Sequence, residues 1–192
     1  MIRLAVVGDI GSGKSYVAKK FGYPVFNADE EVKKLYKKNR KCFTKLKKSL
    51  PQYITSFPLK KSEITNAVED NDNNLKKITK IIHPEIRKKL RNFEKKNKKR
   101  KIIVLDIPLL IENKINTKRD VLIYVDAKKN EIIKRLKKRS NFNLKMIKKL
   151  KKFQLPLEIK KKKSNFLIKN NFKSNYLRKD VNIIKKKILN NV

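Results

Sequence analysis

Residues Gly8 to Ser15 read GDIGSGKS, and no other stretch restricts the fold of this chain as tightly. Gly8, Gly13, Lys14 and Ser15 satisfy G-x-x-x-x-G-K-[ST], a pattern whose glycines let the backbone curl until several N–H groups face one point. Such a loop holds phosphate when a strand leads into it and a helix N-terminus lies beyond it. Both neighbours are present. IRLAVVG, residues 2–8, is a short β-branched run that suits a buried parallel strand, and KSYVAKKFG reads as a short helix stopped at Gly22. The pattern therefore predicts bound ATP or GTP, cradled by Gly11, Ser12, Gly13, Lys14, Ser15 and Tyr16. Lys14 is expected to reach the β and γ phosphates, and the Ser15 hydroxyl to hold Mg²⁺. Asp9 fills a variable position, and its carboxylate is expected to point outward. Tyr16 stands where Thr is common in such loops, past the metal-binding Ser15.

The elements that follow extend one architecture. YPVFNAD is a second strand, and DEEVKKLYKKN a helix with acids in its first turn and bases in its last, as the helix dipole prefers. Strand, helix, strand, helix at this spacing implies a parallel α/β sheet. From Cys42 to about Lys99 no strand is visible. KSEITNAVED, NNLKKITKII and PEIRKKLRNFEKKNKK each carry apolar residues at helical intervals, so the middle third reads as a helical insertion, with Pro84 opening its last helix at the first helical position. Strands resume over residues 101–111 and 120–127. The helix KNEIIKRLKKR, a very basic stretch over 140–163, a short strand NFLIKN and a closing helix from Tyr176 complete the chain.

Length and charge narrow the function. A chain of 192 residues suits one domain with a core. Its net charge of +37 favours polyanions, but 39% of the residues are hydrophobic, enough to fold. Lysine is spread over nearly every polar position. A nucleic-acid binder concentrates its charge on one face, so nucleic acid is not expected as the main partner. Cys42 is the single cysteine, which excludes an internal disulfide. No apolar run approaches the roughly 20 residues of a membrane helix. The expectation is a soluble cytoplasmic protein without a membrane partner; oligomeric state is left open, with a monomer the simplest case.

Three acids carry the candidate chemistry. Asp106, ending the strand in IIVLDIP, fits the second Mg²⁺ ligand of a phosphoryl-transfer site. Asp29, at the end of VFNAD, would lie at the C-terminal sheet edge where open α/β proteins gather ligands. It could take the proton from an acceptor hydroxyl, or merely cap the helix that follows. Asp120 closes TKRD, which matches the [NT]-K-x-D guanine pattern but precedes a strand instead of following one. A small-molecule kinase is thereby favoured over a GTPase switch. Other P-loop kinases, acting on a nucleoside monophosphate or a metabolite, and a nucleic-acid-binding ATPase are the alternatives.

Further segments resemble one family, dephospho-CoA kinase: GDIGSGKS, FGYPVFNAD, IIHPEIRKKL, VLDIPLLIENK, RLKKR and the Gln154 segment FQLPLEIK. The pair HPEIR and DIPLLIE is far more specific than the loop alone. The resemblance implies a P-loop α/β/α fold on a parallel five-stranded sheet, with a nucleotide-binding core over 1–30, 100–138 and 164–192. It implies a helical coenzyme-A-binding part over 31–99 and a helical lid over 139–163. It implies ATP and dephospho-CoA as substrates, Mg²⁺ as cofactor and Asp29 as the base on the ribose 3′-hydroxyl. Arg139 then neutralises charge in transfer, Arg87 meets a substrate phosphate, and His83 orients or contacts substrate. Asn27 stands where the family has the first Asp of D-A-D, removing one carboxylate. Ser164-Asn165 replaces Ala-Asp, and no glycine follows Asn171.

Overall fold

The apolar runs pair into one sheet. The computed structural model describes residues 1–138 and 142–190. In chain order its elements are β1 (Ile2–Gly8), α1 (Lys14–Lys20), β2 (Val25–Asn27), α2 (Ala28–Lys38), α3 (Arg40–Ser49), α4 (Lys61–Asp70) and α5 (Asp72–Lys96). These are followed by β3 (Ile102–Asp106), β4 (Val121–Asp126), α6 (Lys129–Lys137), α7 (Leu144–Lys152), α8 (Leu157–Lys162), β5 (Phe166–Lys169) and α9 (Ser174–Asn190). The sheet has five strands in the order β2-β3-β1-β4-β5, and each neighbouring pair is parallel. This is the α/β fold expected from the alternation of strands and helices.

The described chain divides into two units: Met1–Asn27, Asn97–Phe142 and Lys151–Val192 in one, Ala28–Lys96 and Asn143–Leu150 in the other. In the sheet unit, β1 and β3 are buried on both faces. Leu4, Val6, Ile102, Val104, Ile123, Val125 and Ile168 form a core with Val17 and Ala18 of α1, Phe21 at the C-cap of that helix, and Leu177, Val181, Ile184 and Ile188 of α9. The alternate residues Ala5, Ile103 and Leu105 are equally buried on the opposite face, and α8 packs against β1. A strand covered on both sides must be apolar at every position, which is why these runs are continuous.

The helical unit is organised by α5, against which α2, α3 and α4 pack. Its buried stripe, Asn74, Ile78, Ile82, Ile86 and Leu90, repeats every fourth residue without a break. This corrects the sequence expectation for Pro84, which lies inside the 25-residue α5 and opens no helix. Proline supplies no N–H to the carbonyl four residues back and crowds it; the stripe of apolar burial on the opposite side runs past that defect and holds the helix together.

Two strand ends also differ from expectation. β3 stops at Asp106, and the residues to Ile111 form turns, with Pro108 lacking a donor and Leu109 at φ 55. Leu110 and Ile111 owe their apolar character to burial in those turns. β2 ends at Asn27, so Asp29 is the second residue of α2 and not a strand residue.

Candidate active site

The turn from β1 to α1 leaves no room for a side chain at its glycines. Gly13 has φ 93, and a Cβ there would collide with Asn170 Nδ2; at Gly8 (φ 147) it would sit 2.6 Å from the Val125 carbonyl oxygen. The loop is therefore shaped by close approach of its backbone to its neighbours, as a phosphate cradle requires. No side chain caps α1 at Gly13, which leaves the first N–H groups of that helix for an anion. Lys14 Nζ donates to the main-chain oxygens of Asp9 (2.7 Å) and Gly8 (3.4 Å), a cation folded back on its own loop. Ser15 is exposed at the start of α1. Tyr16 is exposed as well, with Lys20 Nζ 5.1 Å from its ring centre. Ser12 is 1% exposed, and its Oγ has no hydrogen-bond partner among the described residues.

Residues distant in sequence support the cradle. Asn170 Nδ2 donates to the Ser12 carbonyl at 2.8 Å, and its Oδ1 accepts from Phe172 N. Phe172 has φ 62, the left-handed region that favours the glycine absent there. Its ring stacks under the Arg135 guanidinium, 4.3 Å away. Glu112, the acid of DIPLLIE, accepts from Leu155 N (3.0 Å) and Lys160 Nζ (2.6 Å). Lys160 is 3% exposed, so it is the buried partner of Glu112. The DIPLLIE motif and the glycine missing after Asn171 marked Glu112 and Phe172 in the sequence, but their packing partners, like the Ser12 partner of Asn170, lie too far along the chain to be read there.

Asp9 is not turned outward. It is 7% exposed, with Oδ1 accepting from Ile10 N at 2.7 Å and Oδ2 from Lys151 Nζ at 3.3 Å. Burial, then Asp126, Asp9 and Glu158, push the nearby Tyr124 phenol up to about 12.

Asp106 lies opposite Asn27 in the β2–β3 register, and Asn27 Nδ2 donates to its Oδ2 at 2.5 Å. Asn27 is thus a hydrogen-bond partner where an Asp would have set two carboxylates face to face. Asp106 is 3% exposed, and no ion pair reaches it among the described residues. A buried carboxylate with only a neutral donor fits a bound cation, and Ser15 offers a second hard oxygen. No group of three or more His, Cys, Asp or Glu that could hold a metal occurs among the described residues. Mg²⁺ is compatible with that, since it keeps several waters and uses one or two carboxylates beside substrate phosphates.

The remaining candidates sort as follows. Asp29 is exposed in the first turn of α2, with Glu30 and Glu31. His83 and Arg87 lie one turn apart on α5 and, with Lys76, Thr79, Lys80, Pro84 and Arg91, line a cavity of about 480 Å³. Burial, and then the Arg87 cation, hold the His83 imidazole below the usual histidine range, so at neutral pH it is uncharged. Arg139 lies outside the described residues. Asp120 of TKRD accepts from Thr117 N, Thr117 Oγ1 and Arg3, which commits its carboxylate to a turn and an ion pair and leaves none for guanine. Among the described residues no helix is long and apolar enough to cross a membrane.

Comparison with known proteins gives one consistent result. A family described as dephospho-CoA kinase matches residues 2–175. A curated dephospho-CoA kinase of Wolbachia pipientis wMel is 31% identical over 179 residues, 91% of each chain. Among solved structures, TT1252 from Thermus thermophilus superposes with a TM-score of 0.77 at 26% identity, covering 100% of this chain and 97% of that one. A dephospho-CoA kinase from Campylobacter jejuni shares the fold, with a TM-score of 0.62 at 24% identity over 97% of this chain and 96% of that one.

Proposed function

Since the chain belongs to the dephospho-CoA kinase family, we propose that it transfers the γ-phosphoryl group of ATP to the 3′-hydroxyl of dephospho-CoA, giving coenzyme A and ADP. The observation that carries the ATP side is the glycine-walled loop, with Lys14 already turned inward onto the loop carbonyls. A triphosphate offers Lys14 stronger, charged acceptors, so the side chain exchanges loop oxygens for β and γ oxygens. Asp29 takes the proton of the 3′-hydroxyl as that oxygen bonds to the γ phosphorus and the bond to the β–γ bridging oxygen breaks. Arg139 neutralises the charge that accumulates in this step. Mg²⁺, held by Ser15 and Asp106, would spread the charge of the triphosphate.

On the acceptor side, the α5 cavity offers Lys76, Lys80, Arg87 and Arg91 in a single groove, a set suited to the phosphates of dephospho-CoA. Neutral His83 there can donate or accept a hydrogen bond without adding charge. In this reading residues 31–99 bind coenzyme A, 139–163 form a lid, and 1–30, 100–138 and 164–192 bind nucleotide. The enzyme works as a cytoplasmic monomer, without nucleic acid as its partner.

A coupled ADP-release assay with dephospho-CoA, AMP or RNA as the second substrate tests the whole. The expected outcome is ADP formation dependent on dephospho-CoA, with coenzyme A appearing in equal amount. ADP release with AMP or RNA, and none with dephospho-CoA, would sink the reading.

A further inference from the structure

An acid inside an anion-binding loop needs an explanation. Asp9 immediately follows the first glycine of the cradle and is almost wholly buried. Its carboxylate has two partners, a backbone N–H and the ammonium of Lys151. Lys14, the other cation at hand, is bound to the main-chain oxygen of Asp9. Lys151 is thus the side-chain cation paired with this carboxylate among the described residues.

Other acids add to the negative charge near Asp9. Asp126 and Glu158 act with Asp9 on Tyr124, so two further carboxylates lie in the same neighbourhood. A triphosphate entering the loop meets Lys14, which turns from the loop oxygens to the phosphates, together with whatever charge Asp9 and Lys151 leave between them.

We propose that Lys151 is a positioning residue for nucleotide binding: it neutralises Asp9 and so lets the loop accept a triphosphate. The pair spans 142 positions in sequence, tying the last turn of α7 to the first residue after β1. Its side chains are unequally buried, 43% exposed for Lys151 and 10% for Asp9. Removing the exposed cation thus strands the buried anion, whereas neutralising the anion releases the cation to water. The asymmetry gives the two substitutions opposite signs. The proposal rests on the loop being the ATP cradle, and the test separates the two.

ATP affinity is measured by titration calorimetry in the absence of acceptor, with adenosine as the uncharged control. Lys151→Ala is expected to weaken ATP about tenfold, the scale of one charge repulsion in a partly buried site, and to leave adenosine binding as in the wild type. Asp9→Asn keeps an oxygen for Ile10 N and is expected to tighten ATP by about two- to fivefold. The double variant should bind ATP as Asp9→Asn does, and Lys151→Arg should restore the wild-type value. Equal losses from Lys151→Ala in the wild-type and Asp9→Asn backgrounds would mean that Lys151 touches phosphate itself, which overturns the proposal, as would no loss at all. If Lys151→Ala does not fold, Lys151→Gln serves in its place. A wild-type protein that bound adenosine but not ATP would instead overturn the cradle, and the proposal with it.

Discussion

Burial separates the two acids to which the proposed mechanism gives different tasks. Asp106 is enclosed and held by Asn27, which suits the hold on an ion proposed for it, whereas Asp29 is exposed on the first turn of α2, which suits the encounter with a hydroxyl proposed for it. Asp29→Asn keeps size and removes basicity. Its expected effect is a fall in kcat of about 10² to 10⁴ with the KM for ATP little changed, the usual range for a general base; steady-state assays with dephospho-CoA decide it, and an unaltered kcat would remove Asp29 from that role. The sequence made Asp29 and Asp106 visible because each follows an apolar run at the point where a parallel strand must end. It hid Asp9, whose burial depends on a lysine that the chain supplies only much later. A loop pattern states which positions are free to vary, and says nothing of what packs against them.

Helices show the same division between local and distant information. The helical middle third was legible from its periodicity, yet the boundary at Pro84 was not, because proline is a local signal and the stripe from Asn74 to Leu90 is a cooperative one. Replacing Pro84 by Ala restores a donor to the Lys80 carbonyl. It is expected to stabilise the protein by about 1–2 kcal/mol, below the full ~3 kcal/mol of an interior proline because the unfolded chain also gains freedom. Urea unfolding with an unchanged m-value checks this. In α4 the decisive residue is Glu63, whose oxygens accept from Thr55, Ser56 and Lys60 N and so order the turn that enters the helix. Burial opposes its charge, but these bonds overcome it and draw the carboxyl down to about 2 from 4.5. The native state then holds fewer protons than the unfolded one between those values. The contribution of Glu63 is complete above the upper value and is lost as pH falls through the lower. Glu63→Gln should lower Tm near pH 5 and much less near pH 2, flattening the acid limb of the stability curve.

For the molecule as a whole, charge is the unusual quantity: 54 Lys and Arg against 17 Asp and Glu. Ion pairs such as Arg3 with Asp120 and Lys160 with Glu112 are few beside the cations left unmatched by any acid. Self-repulsion of the folded state should therefore dominate its response to salt. Raising NaCl from about 0.02 to about 0.5 M is expected to raise Tm by on the order of 5 °C, because screening relieves repulsion more than it weakens the buried pairs. A fall in Tm would show the opposite balance. The link from Asn170 to the Ser12 carbonyl joins positions 158 apart. On the ribosome the loop is therefore made well before its clip. While those intervening residues are being added, the nascent chain carries a phosphate-loop sequence without the residue that braces it, and the brace forms only once β5 has brought Asn170 to the loop.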